Sequence, residues 1–342
     1  MLAFLANNIE QLDLALEHVA LGDANNARFG LMLTDNIVEI TLHQLALDRK
    51  SDLKHRSYHY EKNPYQHSKE LEAALGRFFD QKLKFAVLET KLSEEEAESI
   101  KLLHNVRNEV YHVGVRDNVL LPDLARLYFY LTTAFLARYE ARGFGWGSSQ
   151  QIPERAKKYF SGDRFMPGKR EDYAQACAQL HKAIAFDAGR LIRSLADHMH
   201  DVIEQEDTAI DVLSQVPQKT TRDQAVLDTQ AWSMTFTDEG KEYIRALLAA
   251  GRPKPAGVAG HVALLASEYP FTVKRDPIPS WRKRAATLRK ESNPHRAFKS
   301  YRAFTSQTED IRALLDAAHS QADAYIEEQI DRAREERALR ER

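Results

Sequence analysis

Leu5, Ile9, Leu12, Leu16 and Val19 follow one another at alternating steps of four and three residues. That spacing puts all five side chains on one stripe of an α-helix and does not fit the two-residue alternation of a half-buried strand. Gly22 supplies a stop. The pattern continues down the chain. A second helix is expected from about Asn25 to Leu47, with Leu33, Ile37 and Ile40 on one stripe and Val38, Leu42 and Leu45 beside it; an apolar arc this wide predicts a central element. Lys50 to His67 interrupts the pattern with basic and aromatic residues and reads as a loop. A third helix is expected from about Ser68 to Thr90, burying Leu71, Leu75, Phe78 and Leu83.

Ser93 with Glu96 three residues on forms a capping box, and Glu94 and Glu95 suit the positive end of the helix dipole. The helix that follows carries Ile100, Leu103, Val106, Val110 and Val113 on a buried stripe, with Gly114 as its stop. A fifth helix begins near Pro122 and turns Leu124, Leu127, Leu131 and Phe135 inward. The run Gly143 to Gln150 is rich in turn formers. The expected organisation is therefore a helical bundle over 1–142, a linker over 143–169 and a second, mostly helical domain over 170–342. In that second part helices are expected near 170–205, 221–249 and 305–342, with the proline- and glycine-rich stretch Gly251 to Pro279 irregular. Trp232 to Thr237 and Phe271 to Val273 are the only β-like runs, so the fold class is mainly all-α with a minor sheet allowed.

At 342 residues the chain is long enough for two cores. Its 48 basic and 50 acidic side chains nearly cancel, so binding to nucleic acid must come from a local patch and not from net charge. Cys177 is the only cysteine, which excludes an intrachain disulfide and cysteine-based zinc clusters. The apolar start, Met1 to Ala6, lacks a basic leader and is broken by Asn7, Asn8, Glu10 and Asp13, so it is not expected to be a signal peptide. No run approaches the roughly 20 apolar residues that span a bilayer, and the expected location is cytoplasmic, without a membrane partner.

The chemistry concentrates in Arg107-Asn-Glu-Val-Tyr-His112. Asn108 and His112 are four apart and share a helix face; Arg107 lies one step round with the reach to fold over it. A guanidinium, an amide and an imidazole can therefore converge. Together they supply what metal-free RNA transesterification needs: a group that exchanges protons with the 2′-hydroxyl or the leaving 5′-oxygen, and a cation for the pentacoordinate phosphorus. In the last helical turn the dipole favours protonated His112. No cofactor or metal is called for.

Leu103-His-Asn-Val-Arg-Asn-Glu-Val-Tyr-His-Val-Gly114 resembles the RNxxxH signature of the HEPN superfamily, helical-bundle proteins many of which are metal-independent endoribonucleases in toxin, antiviral and RNA-processing systems. Thr34-Asp-Asn-Ile-Val-Glu-Ile-Thr-Leu42 is similar to the family's early helix bearing an Asp and a Glu, and the helix order through about residue 142 also fits. The resemblance implies catalytic roles for Arg107, Asn108 and His112, support from Asp35, Glu39 and Tyr111, and a single RNA cleft formed where two such motifs meet across a homodimer. Family toxins silenced by adenylylation carry a Tyr two residues beyond the His; Gly114 stands there in this chain. An antitoxin or a defence-complex partner is a further implication. The alternatives are a noncatalytic HEPN-like adaptor that binds RNA or protein, and a regulatory nucleotide-binding protein, although no Gly-rich phosphate loop is present.

An Arg followed five to seven residues later by a His is weak evidence, since about one is expected by chance in such a chain. Arg193 and His198, Arg289 and His295, and Arg312 and His319 also satisfy it, but only Arg107 is followed by Asn. Elsewhere, Lys274 to Arg302 holds ten Lys or Arg interleaved with Trp281, Phe298 and Tyr301. Arg282, Lys283, Arg284, Lys299 and Arg302 are its candidate RNA contacts, weighed against a solvated basic helix with its aromatics in the core. His43, His55, His59 and His67 lack a recognised metal spacing.

Overall fold

The first stripe is the inner face of α1 (Leu2–Leu21), where Leu5, Ile9, Leu12 and Val19 are buried and Leu16 is half-buried. The structure is a computed structural model that describes residues 2–59, 65–112, 119–140, 151–160 and 170–340. Gly22 takes a left-handed φ of 76°, which ends α1 without the Cβ clash another residue would meet. α2 (Ala24–His59) then runs back antiparallel to α1, with Asn8 donating to Thr41 Oγ1 at 3.2 Å and Asn36 to Gln11 Oε1 at 3.0 Å. The crossing is tightest at Gly30, where an added Cβ would lie 2.5 Å from Val19 Cγ2.

α2 is longer than its apolar stripe predicts. The stretch from Lys50, expected as a loop, continues the helix to His59 because tertiary partners hold its polar residues: Asp48 accepts from Tyr139 Oη at 2.5 Å and Arg49 pairs with Glu89. The expected third helix is two, α3 (Ser68–Ala74) and α4 (Phe79–Leu88). Leu71 and Leu83 are buried as the stripe predicts, but Leu75 is half-buried and Phe78 is exposed. Gly76 weakens the helix there, and Phe78 adopts extended backbone as the N-cap of α4.

α5 (Glu94–His112) starts on the predicted capping box: the Glu96 amide donates to Ser93 Oγ at 3.2 Å and the Ser93 amide to Glu96 Oε2 at 2.8 Å. Ile100, Leu103, Val106 and Val110 are buried; Val113 and Gly114 lie outside the described residues. α6 (Leu121–Arg138) has Pro122 in its first turn and buries Leu124, Leu127, Leu131 and Phe135. α7 (Glu154–Lys157), α8 (Arg170–Ala183) and α9 (Ala188–Leu213) follow. The run Gly143 to Gln150 lies outside the described residues.

The chain divides into two units, Met1–Leu195 with Glu291–Lys299, and Ala196–Lys290 with Ser300–Arg342. The first is built around α1, α2 and α6, each fully burying side chains such as Ile9, Ile37 and Phe135, every one of which contributes about 1.5–3 kcal/mol of hydrophobic stabilisation. In the second, α10 (Arg222–Thr235), α11 (Asp238–Ala249) and α12 (Gly257–Glu268) enclose a small core of Ala231, Ile244, Leu265, Ala266 and Phe271. α13 (Ile278–Arg289) and α14 (Pro294–Arg340) complete the fourteen helices among the described residues.

Two sequence expectations change here. Trp232 to Thr235 are helical and Phe271 to Val273 form no strand, so the described residues are all α. The run Gly251 to Pro279 is not irregular throughout: its prolines flank α12, leaving Val262, Leu264 and Leu265 free to pack on the small core. Among the described residues no helix is long and apolar enough to cross a membrane.

Candidate active site

α5 presents His104, Arg107, Asn108 and Tyr111 at i, i+3, i+4 and i+7, one continuous face that the capping box and buried stripe fix in rotation. Beneath it, on α2, Asp35 is wholly buried. Its Oδ1 accepts from Tyr128 Oη of α6 at 2.6 Å and from His104 Nδ1 at 2.8 Å. An ionised carboxylate only accepts, so His104 must carry its proton on Nδ1. Phe79 of α4 holds the imidazole from the side, stacked at 4.0 Å between ring centroids and 11° between planes. Burial and the Asp35 charge push the Tyr128 phenol well above its ordinary pKa, so it stays a donor.

Arg107 approaches the second carboxylate oxygen. Its Nε is 3.2 Å from Asp35 Oδ2, but the N–H is not aimed at the oxygen, and the contact is an ion pair without a hydrogen bond. Nη1 donates to Asn108 Oδ1 at 2.8 Å, and the guanidinium lies 5.9 Å from the centroid of the exposed Tyr111 ring. The Arg107 side chain is 27% accessible, so it reaches solvent while its inner edge is anchored. A guanidinium has five N–H donors, and these contacts use only part of them.

The sequence-predicted residues are therefore partly assembled. Asp35, Arg107, Asn108 and Tyr111 come together. Glu39, one turn along α2 from Asp35, pairs instead with Lys82 of α4 at 3.8 Å. His112 is the last described residue of α5, and its side chain lies outside the described set. His104 and Tyr128 were not singled out from sequence. The signal for His104 was its place three and four residues before Arg107 and Asn108; Tyr128 gave none, since its partner is 93 residues away.

The other Arg and His pairs each go their own way. Arg193 pairs with Asp187 at 3.8 Å, while His198 Nδ1 is 3.0 Å from Tyr301 Oη. Arg289 pairs with Asp197, and His295 Nδ1 is 2.8 Å from Ser99 Oγ. Arg312 pairs with Glu206 at 3.3 Å and His319 with Asp323 at 3.7 Å. In the basic segment, Arg282 bridges Glu204 and Asp207, Lys299 pairs with Glu98, and Arg284 lies over the Phe304 ring at 5.3 Å. Lys283 is exposed and Arg302 half-buried. Trp281, Phe298 and Tyr301 are core residues, which leaves no exposed aromatic face there for base stacking.

Compared with known proteins, the chain matches no family model, no curated protein and no solved structure.

Proposed function

We propose that this chain is a metal-independent endoribonuclease of the HEPN type, acting on RNA inside the cell in a toxin or antiviral-defence role. The observation that carries the reading is the Arg107–Asp35 contact, a solvent-reaching guanidinium oriented by a wholly buried carboxylate. A cation fixed in this way loses little freedom when it binds a phosphoryl oxygen and is ready for the charge that develops on phosphorus. Asn108 fixes its plane and can give its own amide N–H to the same phosphate.

In this reading the 2′-oxygen attacks phosphorus as its proton passes to one His112 imidazole. The bond from phosphorus to the 5′-oxygen breaks as a second imidazole protonates the leaving oxygen. The products are a 2′,3′-cyclic phosphate and a free 5′-hydroxyl. One chain carries one His112, so the complete site takes a second copy. RNA incubated with the full chain in EDTA should yield these ends, and 2′-O-methylation at the cut position should block cleavage.

A second reading keeps the same surface for a noncatalytic adaptor role. It is favoured by the exposed Tyr111 beside Arg107, a pairing suited to stacking and phosphate contact without chemistry. RNA binding without cleavage in the same assay would select it.

A further inference from the structure

His104 has a ring nitrogen that the Asp35 cluster leaves unused. Its Nδ1–H donates to Asp35 Oδ1 at 2.8 Å, and Phe79 covers one face of the ring at 4.0 Å between centroids. In a neutral imidazole with its proton on Nδ1, the other nitrogen is an acceptor. Among the described residues nothing bonds to that nitrogen, Nε2, and it is not a buried atom, since the side chain keeps 17% of its surface accessible. The carboxylate below and the stacked ring beside it fix both the tautomer and the plane in which the Nε2 lone pair points.

His104 and Arg107 share one anchor. Arg107 Nε is 3.2 Å from Asp35 Oδ2, so the two oxygens of a wholly buried carboxylate hold an acceptor and a cation side by side. Along α5 the two residues are about 4.5 Å apart. A phosphate gathered by the guanidinium carries acceptor oxygens alone and cannot bond to a neutral Nε2. In a sugar–phosphate chain the one hydrogen-bond donor is the ribose 2′-hydroxyl, which DNA lacks.

We infer that His104 Nε2 accepts a hydrogen bond from a ribose 2′-hydroxyl beside the phosphate held by Arg107, and that this pair makes the α5 face select RNA over DNA. His104 lies four residues before Asn108 and His112 four residues after it. The hydroxyl that meets His104 therefore belongs to the nucleotide across the phosphate from the one whose 2′-oxygen attacks. A site built to bond a hydroxyl discriminates against the analogue that lacks it. The inference rests on the α5 face binding RNA and is independent of whether that face cuts it.

The test measures equilibrium binding by fluorescence anisotropy in EDTA at about pH 8, above the ordinary imidazole range. All chains are full-length and carry His112→Ala, so that bound RNA survives. The probes are single strands of one sequence made as RNA, as DNA and as 2′-fluoro RNA, which keeps the ribose pucker without the donor. With His104 present, RNA should bind about five- to tenfold more tightly than either analogue, the size of one hydrogen bond. His104→Asn keeps an amide N–H for Asp35 and places nothing where Nε2 stood; it should weaken RNA alone and bring the three probes within about twofold of one another. Arg107→Ala should weaken all three, and so would a mere loss of packing at position 104, which circular dichroism checks. The 2′-fluoro comparison needs no change at His104 and decides the matter even where that variant does not fold. RNA bound no better than 2′-fluoro RNA, or a preference that survives His104→Asn, would overturn the inference and leave the nuclease proposal standing. Failure to bind RNA at all would overturn the RNA reading with it.

Discussion

Arg107 of α5 and Asp35 of α2, 72 positions apart in sequence by their numbers, meet with Nε 3.2 Å from Oδ2. Asp35 is wholly buried, and its other oxygen already accepts two donors. A buried carboxylate with a cation and two hydrogen-bond donors is stable as a set and unstable when a member is removed.

Replacing Asp35 with Asn should therefore destabilise the first unit by about 3 kcal/mol, because the His104 and Tyr128 donors lose a charged acceptor and Arg107 loses its buried counter-charge. Urea unfolding followed by circular dichroism measures it. A loss below about 0.5 kcal/mol, the range of ordinary surface changes, would mean that the cluster does not hold α2 to α5.

Tyr128→Phe tests the same cluster from α6. It removes one donor to Asp35 Oδ1 and leaves the ring in place, for an expected loss of about 1–2 kcal/mol. Combined with Asp35→Asn the two losses should be smaller than additive, since both report one network. Strict additivity would contradict the shared hydrogen bond.

Ser93→Ala should cost about 1 kcal/mol by removing the N-cap acceptor of α5. The capping box sets where this helix begins, so amide exchange at Glu96 should quicken before exchange at Val106. Equal protection at both positions in wild type and variant would argue against it.

Glu206 of α9 is buried in the second unit, with Oε1 3.3 Å from Arg312 Nε and Oε2 lacking a hydrogen-bond partner among the described residues. Burial first, and then the charge of Asp316, push its pKa up to about 7 from an ordinary 4.5. The folded state thus holds a proton that the unfolded state has released, and stability falls as pH rises between about 4.5 and 7. At about 1.4 kcal/mol per pH unit the contribution is on the order of 3 kcal/mol. Glu206→Gln should flatten the pH dependence of unfolding in that window relative to wild type; parallel curves would refute the assignment.

Features governed by local rules were legible in the sequence: the stripe of α1, the capping box, the burial of Ile100, Leu103 and Val106, and the shared face of Arg107 and Asn108. Features set by distant partners were not. The reach of α2 to His59 depends on Tyr139 and Glu89 meeting Asp48 and Arg49. Phe78 reads as core by composition, yet the break at Gly76 turns it to solvent. At the candidate site the sequence picked out Arg107 and Asp35 by separate arguments but gave no sign that His104 and Tyr128 share the Asp35 carboxylate. In the basic segment, composition left open both a stacking surface and a solvated helix with its aromatics in the core, and Trp281, Phe298 and Tyr301 are buried.

The most direct test of the central claim compares wild type, Arg107→Ala and His112→Ala, all full-length, on structured and single-stranded RNA in EDTA. The proposal predicts cleavage by wild type to fragments ending in 2′,3′-cyclic phosphate, with each substitution reducing the rate at least ~100-fold, as loss of a transition-state cation or proton-transfer group does. Inactive wild type on every substrate, or cleavage that persists in both variants, would contradict it.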